Sequence, residues 1–164
     1  MENTLLVTPN DVVRFTAMNG NVDVDKFLPN ILYAQDTHIQ KYVGTNLLNK
    51  IIEDNDTLTT PYLELVDKFI KPMLLHWAFA EYLPFAAYTI ANKGVYKHTS
   101  ENAQNAEKNE VDFLTSKAIS MAQNYTDRFI AHMRFYYTNF PEYIEYTADG
   151  LYPDNNSNFF GWVL

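Results

Sequence analysis

Cysteine is absent from this chain of 164 residues. That excludes thiol catalysis, cysteine-bound zinc and iron–sulfur clusters. A domain of this length removes roughly two thirds of its unfolded surface from water, so it needs neither disulfide nor metal to fold. Glycine is scarce, at five residues. No Gly-x-x-x-x-Gly-Lys loop, Gly-x-Gly-x-x-Gly fingerprint or Gly-x-Ser-x-Gly elbow occurs, which leaves little backbone to cradle phosphates and disfavours nucleotide enzymes. Positive charge is also in deficit. Against 20 Asp plus Glu stand only 12 Lys plus Arg, a net charge of −8 with a pI near 4.8. The field of such a chain repels nucleic acid, so a general DNA or RNA binder is not expected.

Catalytic and metal constellations are missing as well. His38, His76, His98 and His132 are far apart, and no His-x-x-x-His, His-Glu-x-x-His or Glu-x-x-His spacing exists, so they read as structural histidines. Asn21, Asp23 and Asp25 alternate like the first ligands of a calcium loop. Lys26, however, stands where the turn glycine belongs and Leu32 where the closing glutamate belongs. His76 and Glu81 lie about 140° apart around a helix, too far to act as one acid–base pair. Glu81 is better read as a satisfied buried polar residue or an interface contact. No catalytic residue, metal or cofactor is therefore expected.

The opening MENTLLV has an acidic residue where a secretory signal carries Lys or Arg, and its apolar run is too short, so no export signal is expected. The stretch Met73 to Ala91 approaches bilayer-spanning length but contains His76, Glu81 and Pro84. A buried core helix, with no membrane contact, is the expectation.

What the chain does contain is helical pattern. Thr8-Pro9-Asn10-Asp11 combines a cap, a first-turn proline and a first-turn acid, which predicts a short helix to about Met18 that Asn19-Gly20-Asn21 breaks. A second helix is predicted from about Pro29 to Val43, with Leu32, Gln35, Ile39 and Tyr42 on one face. Gly44 stops it, and Thr45 caps a short helix carrying Leu47, Leu48, Ile51 and Ile52. Thr60-Pro61 opens the principal helix, predicted to run to Asn92. Its apolar seam follows a heptad rhythm over 63, 66, 70, 73, 77, 80, 84, 87 and 91, and its backbone is expected to approach neighbours most closely at Ala80, Ala87 and Ala91. Between Pro72 and Ala80 no charged residue occurs, so burial nearly all round is expected. Pro72 and Pro84 should kink or divide the helix.

Gly94 is the expected left-handed cap of that helix, and 95–104 reads as an exposed loop or brief strand pair. A last helix is predicted from about Ala106 to Tyr137, with Val111, Leu114, Ala118, Met121, Tyr125, Phe129, His132 and Tyr136 as its apolar stripe. After Arg134 there is no Lys or Arg, and the aromatics Phe140, Tyr143, Tyr146, Tyr152, Phe159, Phe160 and Trp162 follow no period. Such a segment carries too much aromatic surface to sit comfortably in water, and is expected to drape over a neighbouring subunit or partner; the alternative is folding back on its own bundle. The chain is expected to be all-α: a small helical bundle with a long kinked central apolar helix, an exposed connector loop or short hairpin, and an extended C-terminal arm. Its body would span 1–138 and its arm 139–164.

Three segments, VDVDKFLPNILYAQDTHIQKYVGTNLL at 22–48, PYLELVDKFIKPMLLHWAFAEYLPFAAYTIANKGVYKHTSENAQNAE at 61–107 and NFPEY at 139–143, resemble the small all-helical head–tail connector proteins of tailed bacteriophages. These are also called adaptor or head-completion proteins. The likeness is greatest to those of phages infecting Bacteroidetes, including the neck ring proteins of crAss-like phages. It rests on Ala34-Gln35, Lys71-Pro72, Asn92-Lys93-Gly94 and Thr99-Ser100-Glu101-Asn102, none of which carries chemistry.

The resemblance implies a non-enzymatic virion protein made in the host cytoplasm. It would form a ring, commonly a dodecamer, that docks beneath the portal protein, contacts other neck or tail proteins and continues the channel through which DNA passes without sequence-specific binding. Val95, Tyr96, Lys97 and His98 of the connector, with Phe140, Tyr143, Tyr146, Tyr152, Phe159, Phe160 and Trp162 of the arm, are the expected contacts. Rival readings are a helical bundle binding an apolar small molecule, another tail or capsid completion protein, or a small enzyme with an unrecognised site.

Overall fold

The computed structural model describes residues 4–18, 24–86, 88–91, 94–97 and 108–156, with backbone alone for residue 24 and for the two strands. Among these the chain is all-α apart from one short hairpin, and its six helices pack in one core.

Helix α1 (Pro9–Phe15) starts as its sequence requires: Asp11 N–H meets the Thr8 hydroxyl, and the Asp11 carboxylate accepts from Thr8 N–H, closing a capping box. Helix α2 spans 24–43 as an α segment Val24–Ala34, a π turn Gln35–Ile39 and a last turn Gln40–Val43. It begins earlier than the predicted Pro29, which lies inside the helix. A proline there has no N–H to give to the preceding turn, but Phe27 and Ile31 on either side of it are both buried, and that burial offsets the missing bond. The π turn adds a residue to one turn and shifts the buried face. Phe27, Ile31 and Ala34 lead into Gln35, Ile39 and Tyr42, while the predicted Leu32 is only half-buried.

Gly44 ends α2 at φ 82° and ψ 156°, backbone that only glycine adopts readily. It opens α3 (Thr45–Glu53), which buries Leu47, Leu48 and Ile51. Thr45 does not cap α3 as predicted. Its hydroxyl instead accepts hydrogen bonds from Gln40 Nε2 at 2.9 Å and from Leu151 N–H at 2.8 Å.

Helix α4 covers 62–82, through Tyr62–Leu65, a π turn Val66–Ile70 and the α segment Lys71–Tyr82. The π turn sits where Pro72 cannot donate to the turn before it, and Lys71 N–H bonds Val66 O across five residues. Six consecutive residues, Met73 to Ala78, are buried, as the charge-free composition predicted.

The helix does not reach Asn92. It tightens into a 3₁₀ turn Leu83–Phe85 around Pro84, and the chain then forms strand β1 (Tyr88–Ala91), antiparallel to β2 (Gly94–Lys97), with Ile90 opposite Val95 and Ala91 opposite Gly94. Three expectations fall with it. Pro84 is exposed, Ala91 lies in a strand, and Gly94 opens β2 instead of capping a helix. The proline breaks the ladder, and the β-branched Thr89 and Ile90 favour a pleated backbone beyond it.

Helix α5 (Lys108–Tyr136) ends in a 3₁₀ turn Tyr137–Asn139 and is followed by α6 (Pro141–Ile144). The contacts Phe69–His132, His76–Tyr125 and Trp77–Thr126 align α4 and α5 antiparallel. The buried stripe of α5 is Ala118, Ala122, Thr126, Phe129, Ile130 and Met133, rotated from the predicted one, so Leu114, Met121 and Tyr136 are exposed. No helix among the described residues is long and apolar enough to cross a membrane.

Candidate functional site

Polar groups, some half-buried and some fully buried, are built into the seam between α2, α4 and α5. His38 Nε2 lies 2.8 Å from Glu81 Oε1, and the His38 ring stacks on Trp77 at 3.8 Å between centroids and 8° between planes. A carboxylate only accepts, so the ring proton sits on Nε2 and is donated to Glu81. Trp77 Nε1–H donates to Thr126 Oγ1 at 3.0 Å, and that hydroxyl donates to Ala122 O at 3.0 Å. Two helix crossings are thereby bridged by four side chains, His38 to Glu81 and Trp77 to Thr126. Two forces oppose at His38: burial pushes its pKa down, the Glu81 contact pushes it up, and burial wins. The arrangement suits packing and leaves no unpaired nucleophile beside a base.

The other described histidines stack too. His76 lies on Tyr125 at 4.6 Å, and His132 lies between Phe69 at 4.2 Å and Tyr136 at 4.7 Å. Burial lowers the pKa of both, with Lys68 adding to the effect at His132. His76 and Glu81 turn to different partners, Tyr125 and His38. His98, Asn21 and Asp23 lie outside the described residues, and among those described no cluster of His, Asp and Glu could hold a metal ion.

The arm expected to start at 139 is anchored first in its own chain. Phe140 is buried against Tyr62 at 5.2 Å, and Tyr143 is buried against Phe129. Tyr62 O–H donates to Glu142 Oε2 at 2.7 Å, tying α4 to α6. Burial pushes the Tyr62 and Tyr143 hydroxyls up to about 12. These two aromatics of the expected contact set thus belong to the core, because the turn at 137–140 folds them back beneath α5.

Residues 145–156 then run as a strap along the α2–α3 corner. Leu151 exchanges backbone and side-chain bonds with Thr45, Asp154 N–H donates to Lys41 O at 2.9 Å, and Lys41 Nζ meets Asp154 Oδ2 at 3.5 Å. Tyr143 O–H donates to Asn155 Oδ1, and Pro153 packs on Gly44. Backbone groups of Glu145, Leu151 and Asp154 bond inward to α2 and α3. The large side chains of the strap are exposed, Tyr146 at 76%, Leu151 at 55% and Tyr152 at 52%, as is Ile144 at the end of α6.

A second exposed apolar surface lies at the other end of α5. Past Tyr82 that helix runs on beyond α4, where Phe113 (62%) and Leu114 (51%) face solvent, and Met121 (49%), level with the end of α4, is exposed as well. Asn109, Glu110, Phe113 and Leu114 line an open hollow of about 470 Å³. The apolar period of the sequence predicts Leu114 and Met121 in the core, and both are exposed.

Of the other expected contacts, Val95, Tyr96 and Lys97 lie in β2, where only backbone is described, while Phe159, Phe160 and Trp162 lie outside the described residues. Residues 39–148 match one protein family, described as a family of unknown function (DUF6712). No curated protein and no solved structure matches the chain.

Proposed function

The chain belongs to the DUF6712 family of unknown function, and we propose that it is a structural subunit, without catalytic activity, of a ring in the neck of a tailed bacteriophage. In this reading the ring docks on the portal protein, joins it to other neck or tail proteins and continues the DNA channel. The chain would be made in the host cytoplasm and reside in the virion. The likeness to head–tail connector proteins supports it, and so does the surface.

The observation that carries the proposal is the pair of exposed apolar surfaces, at Phe113, Leu114 and Met121 on α5 and at Tyr146, Leu151 and Tyr152 on the strap. An isolated subunit would leave both in water, and patches of this kind mark protein contacts. The net charge of −8 agrees with a channel that lets DNA slide without holding it.

Native mass spectrometry of the purified chain tests this. A series of oligomers is the expected result. A monomer that retains an apolar small molecule would replace the proposal with the ligand-binding bundle.

A further inference from the structure

We infer that the exposed face of the first half of α5 binds the strap surface of a second copy of this chain, head to tail. The inference rests on the ring reading above and names the two halves of the contact.

On α5, Leu114, Lys117 and Met121 recur at i, i+3 and i+7, with Phe113 one turn from Lys117, so they form one continuous stripe. The stripe is apolar with a cation in its middle, and Lys117 is exposed with no ion pair among the described residues. The strap offers the converse. Exposed Tyr146 stands between Glu145 and Asp149, whose carboxylates also have no ion-pair partner among the described residues, and no Lys or Arg follows Arg134 in the chain. Glu142 and Asp154, by contrast, are held by Tyr62 and Lys41. An apolar stripe with Lys117 at its centre and Glu110 at its N-terminal end is thus the counterpart of an aromatic acidic one.

The two surfaces cannot meet within one molecule. Asn155 is tied to Arg134 through its carbonyl, and from Phe113 to Arg134 the helix rises about 30 Å at ~1.5 Å per residue. A contact between two different patches on successive copies is heterologous, and such contacts close into rings when the rotation permits. A contact between like patches would stop at a dimer and leave the other surface bare.

The absence of cysteine makes the test clean. Ser120→Cys, beside Lys117 on α5, and Ala148→Cys, beside Asp149 on the strap, both change exposed positions. The two variants are treated with a short bis-maleimide separately and as a mixture, with the portal ring present, after assembly has been scored by sedimentation. A cross-linked dimer from the mixture alone is expected. Lys117→Glu on the Ser120→Cys copy should abolish it, and Glu145→Lys with Asp149→Lys on the Ala148→Cys copy should restore it.

Assembled rings that give no mixed dimer, or a dimer from Ser120→Cys alone, would overturn the inference while the ring reading stands. Loss of portal binding by Lys117→Glu with unchanged self-assembly would assign the α5 stripe to the portal and likewise overturn it. A wild-type chain that sediments as a monomer with and without the portal removes the ring reading itself.

Discussion

Thr126 holds two bonds at once, accepting from the Trp77 indole and donating to Ala122 O, at a fully buried position. Thr126→Val keeps the shape and removes both. A buried indole N–H left without an acceptor costs about 1–3 kcal/mol, and a urea titration should find a loss of that size.

The histidines set the pH response. His38, His76 and His132 all have folded pKa values below the ordinary 6.5. The unfolded chain therefore takes up protons first as pH falls. Stability is fully present above 6.5 and drops as pH falls from there toward the folded values. Urea midpoints between pH 7.5 and 5 should decline, and His38→Gln should flatten part of the decline. A midpoint that rises on acidification would contradict the burial argument.

Gly44 is the third residue on which the fold depends. Its backbone lies at φ 82°, and a Cβ there would meet Pro153 Cγ at 2.7 Å. Gly44→Ala is expected to cost about 1–3 kcal/mol from the backbone alone and to lift the strap at Pro153, with increased proteolysis near 150 as the readout. The glycine was legible in the sequence as a helix stop. Its packing partner was not, because Pro153 lies far along the chain in a segment without period.

At the scale of elements, the strap is the piece whose role the structure redefines. Removing 145–164 should keep the helical circular dichroism of the six helices but lower the urea midpoint, since the bonds to Lys41, Thr45 and Asn46 and the burial of Pro153 go with it. Collapse of the helical signal would mean that the strap belongs to the core itself.

Helix existence was readable from caps and periodicity: Thr8 with Asp11, and the charge-free run before Ala80. Where the reading failed, a local perturbation had shifted the period. The π turn in α2 moved burial from Leu32 to Ile31. The predicted continuation of α4 to Asn92 keeps its apolar period in the sequence, but Pro84, expected to kink or divide the helix, ends it and a strand follows. In α5 the pattern of Leu114 and Met121 was helical and apolar, yet no element among those described covers it. A sequence period reports that a face is apolar, not which molecule buries it. The His38–Glu81 and Trp77–Thr126 pairs joined residues 43 and 49 positions apart, a tertiary coincidence no spacing rule encodes.

At the scale of the whole molecule, this acidic helical chain is proposed to work as one copy among several around a channel. The most direct measurement is image analysis of the purified protein, alone and mixed with the portal ring from the same genome. Closed rings matching the portal's symmetry, with α5 and the strap at the boundary between neighbouring copies, are the predicted result. A monomer that ignores the portal would contradict the account.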